Sequence, residues 1–369
     1  MSQSGHFVSD NAPVMRINFS TFTPRRILIV QTAFLGDVIL ALPLVQETKR
    51  LFPRADIDFL AIPSTANLVE THPDIDQVIV HHKRGRDRGL GELPRLARQL
   101  RRRRYDLALV PHRSLRSALL VWSAGIPVRV GFDRSAGRWW FNVIRPYPRN
   151  VHEINRNLHL LQPFGFDPDR KVFPTLHFTE ADRGIVETWM QEADIAPETP
   201  ITAMAPGSVW PTKRWLPERF AALADELIRL GHQVILVGGP DDREVAREVA
   251  NRCTEPAVHD ATGRFTPRQS AYLISRCRLL ITNDSAPLHM ANSVGTPVVA
   301  VFGPTVPGFG FYPYRDFDRV VENRSLSCRP CGVHGGKKCP LGTHECMRSI
   351  STEMVLREVL ELPEIPAAE

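Results

Sequence analysis

The chain is most informative first for what it does not contain. Its 369 residues include no apolar run of roughly eighteen or more, so a membrane-spanning helix is not expected. Internal repeats and low-complexity tracts are absent, which excludes solenoid and fibrous architectures. There is no Gly-x4-Gly-Lys loop and hence no Walker-type phosphate site. Neither an aromatic-rich RNA motif nor a recognition-helix pattern occurs, so nucleic acid is not the expected partner. Residues 1–23 lack the basic start and continuous apolar stretch of a signal peptide. They are expected to form a disordered tail on a cytoplasmic protein. Cysteine is scarce at six residues, and in that compartment the thiols should stay reduced.

What is present is an ordinary globular composition, 43% hydrophobic and 23% charged, with enough length for two domains. The net charge of +6 is uneven. Residues 1–176 carry 26 Lys and Arg against 15 Asp and Glu, whereas residues 177–369 carry 20 against 25. Segment 83–104, KRGRDRGLGELPRLARQLRRRR, holds ten basic and two acidic residues. A solvated helix face would account for it. A face meeting an anionic lipid surface or glycan is the functional alternative.

Apolar runs alternate with stretches of helical spacing. RRILIVQ (25–31), ADIDFLAI (55–62), QVIVHH (77–82), DLALVP (106–111) and PVRVGF (127–132) read as strands, with helices at 36–52, 90–103 and 114–123. A second series starts near residue 200, with strands at 201–207, 233–239, 278–283 and 297–303 and helices at 216–231, 241–251, 267–275 and 285–294. Such alternation implies parallel sheets covered on both faces. The domains are expected at 24–176 and 177–369, joined through the Pro- and charge-rich stretch 165–178, with helix 180–193 opening the second. In doubly wound sheets ligands bind beyond the carboxyl ends of the strands.

Four strand ends carry polar clusters. In QTAFLGDVILALP (31–43), Gly36 permits a tight turn and Asp37 sits at a helix start, as a cap or as a general base. In APGSVWPTKRW (205–215), Gly207, Ser208, Thr212 and Lys213 form a junction suited to a diphosphate. In GGPDDREVA (238–246), Asp241 or Asp242 could accept bonds from ribose hydroxyls, or simply cap a helix. In TNDSAPLHMANSVGTPVVAVFGPT (282–305), Asp284 ends a strand, Ser285 can cap the next helix, and His289 lies one turn on. The amides of that first turn favour an anion.

Together these motifs resemble glycosyltransferase family 9, the heptosyltransferases, and within it the heptosyltransferase II group. The likeness covers about residues 25–361, with the motifs in the family's order. It implies a GT-B fold, two doubly wound Rossmann-like domains facing a central cleft, the first binding acceptor and the second binding nucleotide sugar. It also implies inverting transfer of heptose from ADP-heptose to the lipid A-linked inner core of lipopolysaccharide, at the inner face of the cytoplasmic membrane. By the resemblance, Asp37 is the catalytic base and Lys213, with the Thr212 region, contacts phosphate. Asp284, Ser285, Ala286 and His289 hold the sugar and diphosphate, and Asp241 or Asp242 holds the ribose. Asp284 would bond sugar hydroxyls or orient Lys213. Many relatives carry Gly where this chain has Ala286. No cofactor or catalytic metal is expected.

Cys328, Cys331, Cys339 and Cys346, with His334 and His344 nearby, have spacing compatible with a structural zinc knot or with reduced thiols in an ordered loop. Two other functions remain open at this point. One is a different nucleotide-sugar enzyme of this fold, such as an epimerase; the other is a non-catalytic lipid- or nucleic-acid-binding protein, which would leave the strand-end clusters without a role.

Overall fold

The structure is a computed structural model, described here for residues 18–82, 92–196 and 198–363. The first nine residues of the basic segment, 83–91, therefore lie outside the described residues, as do residues 1–17 of the expected tail.

Two six-stranded sheets organise the chain. The first contains β1 (Arg26–Val30), β2 (Asp56–Ala61), β3 (Gln77–Val80), β4 (Leu107–Val110), β5 (Val128–Phe132) and β6 (Val143–Arg145) in the order β3-β2-β1-β4-β5-β6. The second contains β7 (Ile201–Ala205), β8 (Gln233–Leu236), β9 (Val258–Asp260), β10 (Leu279–Asn283), β11 (Val298–Phe302) and β12 (Arg319–Glu322) in the order β12-β11-β10-β7-β8-β9. Every neighbouring pair is parallel. The two orders are the same doubly wound topology, so the order in which strands are added reverses once in each sheet, between β1 and β4 and between β7 and β10.

The inner strands are buried on both faces, which is why they read as unbroken apolar runs: β4, β7, β10 and β11 are buried along their whole length. One apolar cluster runs through both halves, from Ile27 and Phe59 through Leu158 and Val186 to Leu288, Phe302 and Tyr314. The halves also meet where the turn at 306–314 seats on the start of helix Glu153–Leu158. There the Glu153 amide donates to the Gly310 carbonyl (2.8 Å), and His152 Nε2 lies 2.9 Å from the Tyr312 carbonyl.

Several elements differ from the sequence reading. Helix 36–52 is two helices, Leu35–Ile39 and Leu42–Leu51, with Pro43 in the first turn of the second. Part of the expected tail is folded. Phe19–Thr21 form a 3-10 turn, and the rings of Phe19 and Phe22 lie 5.4 and 5.8 Å from that of Phe164. Apolar contact outweighs the polar composition of this stretch. Strands β6, β9 and β12 and helices Pro63–Val69 and Glu153–Leu158 were not anticipated.

Candidate active site

Each sheet presents its polar loops at its own reversal point, and the two sets meet. Gly36 follows β1, and a methyl group added there would come within 2.8 Å of the His289 ring, on the helix that follows β10. The absence of a side chain at Gly36 thus lets the two strand ends touch.

On the first sheet, Asp37 occupies the third position of helix Leu35–Ile39, and its carboxylate accepts the Phe34 amide at 3.1 Å. It is therefore a cap. It is also an unusual carboxylate, because burial raises its pKa to about 7 and the neighbouring Glu153 charge adds to the rise. Bonds from the Phe34 and Asp37 amides and the charge of Arg113 oppose the shift without cancelling it. A carboxylate with a pKa near neutrality suits proton abstraction. Glu153 itself is buried and paired with Arg156. Arg113, beyond the end of β4, lies over the Tyr147 ring at 4.2 Å.

On the second sheet the centre is an ion pair. Lys213 Nζ lies 2.6 Å from Asp284 Oδ2 and donates to the Asp284 carbonyl at 3.2 Å. Only 9% of Lys213 and 7% of Asp284 is exposed, so the pair is held inside the protein. Thr305 donates its hydroxyl to the same carboxylate oxygen at 2.7 Å. These contacts suit Asp284 to orienting Lys213. Asn283 fixes the loop that delivers the lysine: its Oδ1 accepts the Trp215 amide (2.9 Å) and its Nδ2 donates to the Pro206 carbonyl (2.9 Å).

The helix Ala286–Val294 begins as expected, but Ser285 does not cap it through its side chain. The serine hydroxyl instead lies 3.3 Å from that of Thr282. Ser285, Ala286 and Pro287 are partly exposed at the corner, whereas His289 is 5% exposed and its Nδ1 has no partner. Burial depresses its pKa to about 4, so the ring is neutral at physiological pH and donates through only one nitrogen.

Asp241 and Asp242 separate clearly. Asp241 is exposed. Asp242 is nested against Gly207, whose missing side chain its carboxyl group occupies, and it accepts the Gly239 amide at 2.9 Å. Burial raises its pKa. Ser208 is buried, and its hydroxyl accepts the Trp210 amide at 3.4 Å.

Thr212 is bonded within the protein. Its hydroxyl is engaged by Gly336 of the cysteine-rich segment, donating to the carbonyl at 2.9 Å and accepting the amide at 2.8 Å. The zinc reading of that segment is not supported. Among the described residues no three His, Cys, Asp or Glu side chains are placed to hold a metal, and Cys328, Cys331, Cys339 and Cys346 are free thiols. The four thiols lie close enough for their charges to reach one another, but no three of them are arranged to hold an ion. Sequence reasoning also missed Arg113, Glu153 and Thr305. Only Thr305 lay within a quoted motif, and nothing in its local pattern marks a threonine that reaches back to Asp284.

Comparison with known proteins matches this geometry. Residues 93–340 match the family described as Glycosyltransferase family 9 (heptosyltransferase). Lipopolysaccharide heptosyltransferase 2 of Salmonella typhimurium is 28% identical over 91% of this chain and 98% of its own length. Lipooligosaccharide heptosyltransferase 2 of Haemophilus ducreyi is 30% identical over 77% of this chain and 85% of its own. Two solved structures superimpose along nearly the whole chain. The family 9 glycosyl transferase of Veillonella parvula gives a TM-score of 0.81 at 27% identity, covering 92% of this chain and 97% of that one. The ADP-heptose lipopolysaccharide heptosyltransferase II of E. coli gives 0.76 at 27% identity, covering 91% and 98%. Two doubly wound sheets meeting at their strand ends are thus the GT-B arrangement, and the chain belongs to glycosyltransferase family 9, the heptosyltransferases.

Proposed function

We propose that this enzyme transfers heptose from ADP-heptose to the lipid A-linked inner core of lipopolysaccharide, with inversion at the anomeric carbon. The observation that carries the proposal is the contact between Gly36 and His289, which brings a carboxylate poised near neutrality to the strand ends that hold a buried lysine. Asp37 removes the proton from the acceptor hydroxyl. The oxygen attacks the anomeric carbon of heptose while the bond to the diphosphate breaks on the opposite face, and ADP leaves carrying the charge. Lys213 and the first turn of helix Ala286–Val294 stabilise that charge as it develops. His289 contributes a neutral donor, Ser208 and Ser285 line the approach, and the nested Asp242, rather than exposed Asp241, takes the ribose hydroxyls. The scheme calls on protein groups alone.

The anionic acceptor and its membrane are drawn to the basic half. Arg101 and Arg102 close helix Glu92–Arg102, and Trp122 and Trp139 are exposed nearby in sequence, with Arg138 over the Trp139 ring at 4.4 Å. Arginine beside exposed tryptophan suits an anionic lipid interface. No helix among the described residues is long and apolar enough to cross a membrane, which is consistent with peripheral attachment. The test is ADP release from a panel of ADP- and UDP-sugars with purified truncated core acceptors. Turnover confined to ADP-heptose and acceptor together supports the proposal, and turnover without acceptor or with UDP-sugars alone overturns it.

A further inference from the structure

The cysteine-rich segment 328–346 has no part in the scheme above, yet its contacts converge on the Lys213–Asp284 pair from both sides. On the lysine side, three hydrogen bonds join Thr212 to Gly336. They are Thr212 N–H to the Gly336 carbonyl (3.2 Å), the hydroxyl to the same carbonyl (2.9 Å), and Gly336 N–H to the hydroxyl (2.8 Å). His344 Nε2 lies 2.8 Å from the Thr212 carbonyl and donates to it. Gly335, at φ +76°, lies so close that a methyl group there would stand 3.1 Å from Lys213 Cγ.

On the aspartate side, the buried Arg329 pairs with Glu322 (2.9 Å) and donates to the carbonyls of Phe302 (3.0 Å) and Thr305 (2.9 Å). The Cys331 amide donates to the Pro304 carbonyl at 2.9 Å. That turn carries the Thr305 hydroxyl bound to Asp284. His334 extends from the same segment to where the charges of Lys213, Arg113 and Asp284 all reach it. The segment thus grips both loops that flank one buried ion pair.

We propose that segment 328–346 is a positioning element of the donor site, which holds Lys213 and Asp284 in register through the Thr212–Gly336 clamp and the Arg329 anchor. This rests on the reading of Lys213 as the diphosphate cation. Thr212 is a positioning residue: its hydroxyl faces Gly336, and its effect on the donor passes through Lys213.

The experiment is a double-mutant cycle read by ADP calorimetry and donor KM. Thr212→Val removes the two bonds made by the hydroxyl and should weaken ADP about tenfold. Thr212→Ser restores the hydroxyl and should stay within about threefold of wild type. In a Lys213→Ala background, Thr212→Val should cost nothing further. Additive losses would overturn the proposal, because Thr212 would then act independently of the lysine. If Lys213→Ala itself leaves ADP affinity unchanged, the parent reading of the lysine fails instead. Hydrogen exchange on the wild-type protein is a second measure that needs no variant. ADP should slow amide exchange in 328–346, and an unchanged segment overturns the coupling.

Discussion

The two halves share one strand order and make opposite use of it. In the first, the loop after β1 is short and places a carboxylate whose charge is disfavoured by its surroundings. In the second, the loop after β7 is long, wraps a 3-10 turn at Pro211–Lys213, and buries a cation already matched by a carboxylate. Net charge runs the other way. The half that presents the Asp37 carboxylate carries the excess of basic residues, and the half that presents the lysine is net acidic. The net charge of a half thus does not set the charge of the group it presents, which depends on a few buried neighbours.

The largest expected effect breaks the first half. Asp37→Asn should lower transfer by about 10²- to 10⁴-fold while ADP binding stays within about twofold, measured by initial-rate ADP release and calorimetry. Its melting temperature should equal or exceed that of wild type, because a carboxylate held at a raised pKa opposes folding wherever it is ionised. For the wild type, only ionised Asp37 accepts the proton. The profile of kcat/KM should therefore rise with pH, bend near 7 and lie about tenfold lower one unit below the bend. A flat profile between pH 5 and 8 would remove Asp37 from the rate.

Asp284→Asn breaks the second half. It leaves Lys213 buried without its counter-charge, so destabilisation of about 3 kcal/mol is expected, seen as a lowered denaturant midpoint. Free ADP and ADP-heptose should weaken together, since the defect lies in lysine placement. Loss of the sugar nucleotide alone would return Asp284 to a sugar-binding role. Gly36→Ala tests the junction between the halves. The added methyl must push the His289 ring, and about tenfold slower transfer with near-normal ADP affinity is expected from steady-state kinetics. The smallest effect concerns the surface. Replacing Arg102 by Ser should weaken binding to anionic vesicles by about fivefold at low salt, with unaltered rates on a soluble truncated acceptor.

Much of the fold was legible because the inner strands are continuous apolar runs between glycine and proline signals. Three of the four sheet edges were not. VIR, VHD and RVVE (β6, β9 and β12) are three or four residues long and mix charge with half-buried positions, so no alternation of useful length exists. At the site, the motifs located Asp37, Lys213, Asp284 and His289, because a polar cluster after an apolar strand is a local pattern. Partners were harder. Thr212 binds Gly336 across 124 positions and Lys213 meets Asp284 across 71, and no local pattern encodes contacts at such separations. Of the two readings open for the cysteine segment, zinc knot or reduced thiols, the zinc one is unsupported, since spacing along the chain does not fix ligand geometry in space.

The apolar cluster that runs from Ile27 to Tyr314 has a consequence for how the enzyme melts and moves. Two-domain chains commonly join through a thin polar waist, across which each part can unfold alone. Here the start of helix Glu153–Leu158 and the 306–314 turn are tied by one main-chain bond and by the His152 and Arg156 side chains beside shared core. Loosening either half strips apolar cover from the other. The two sheets are therefore expected to melt in a single calorimetric transition rather than one after the other.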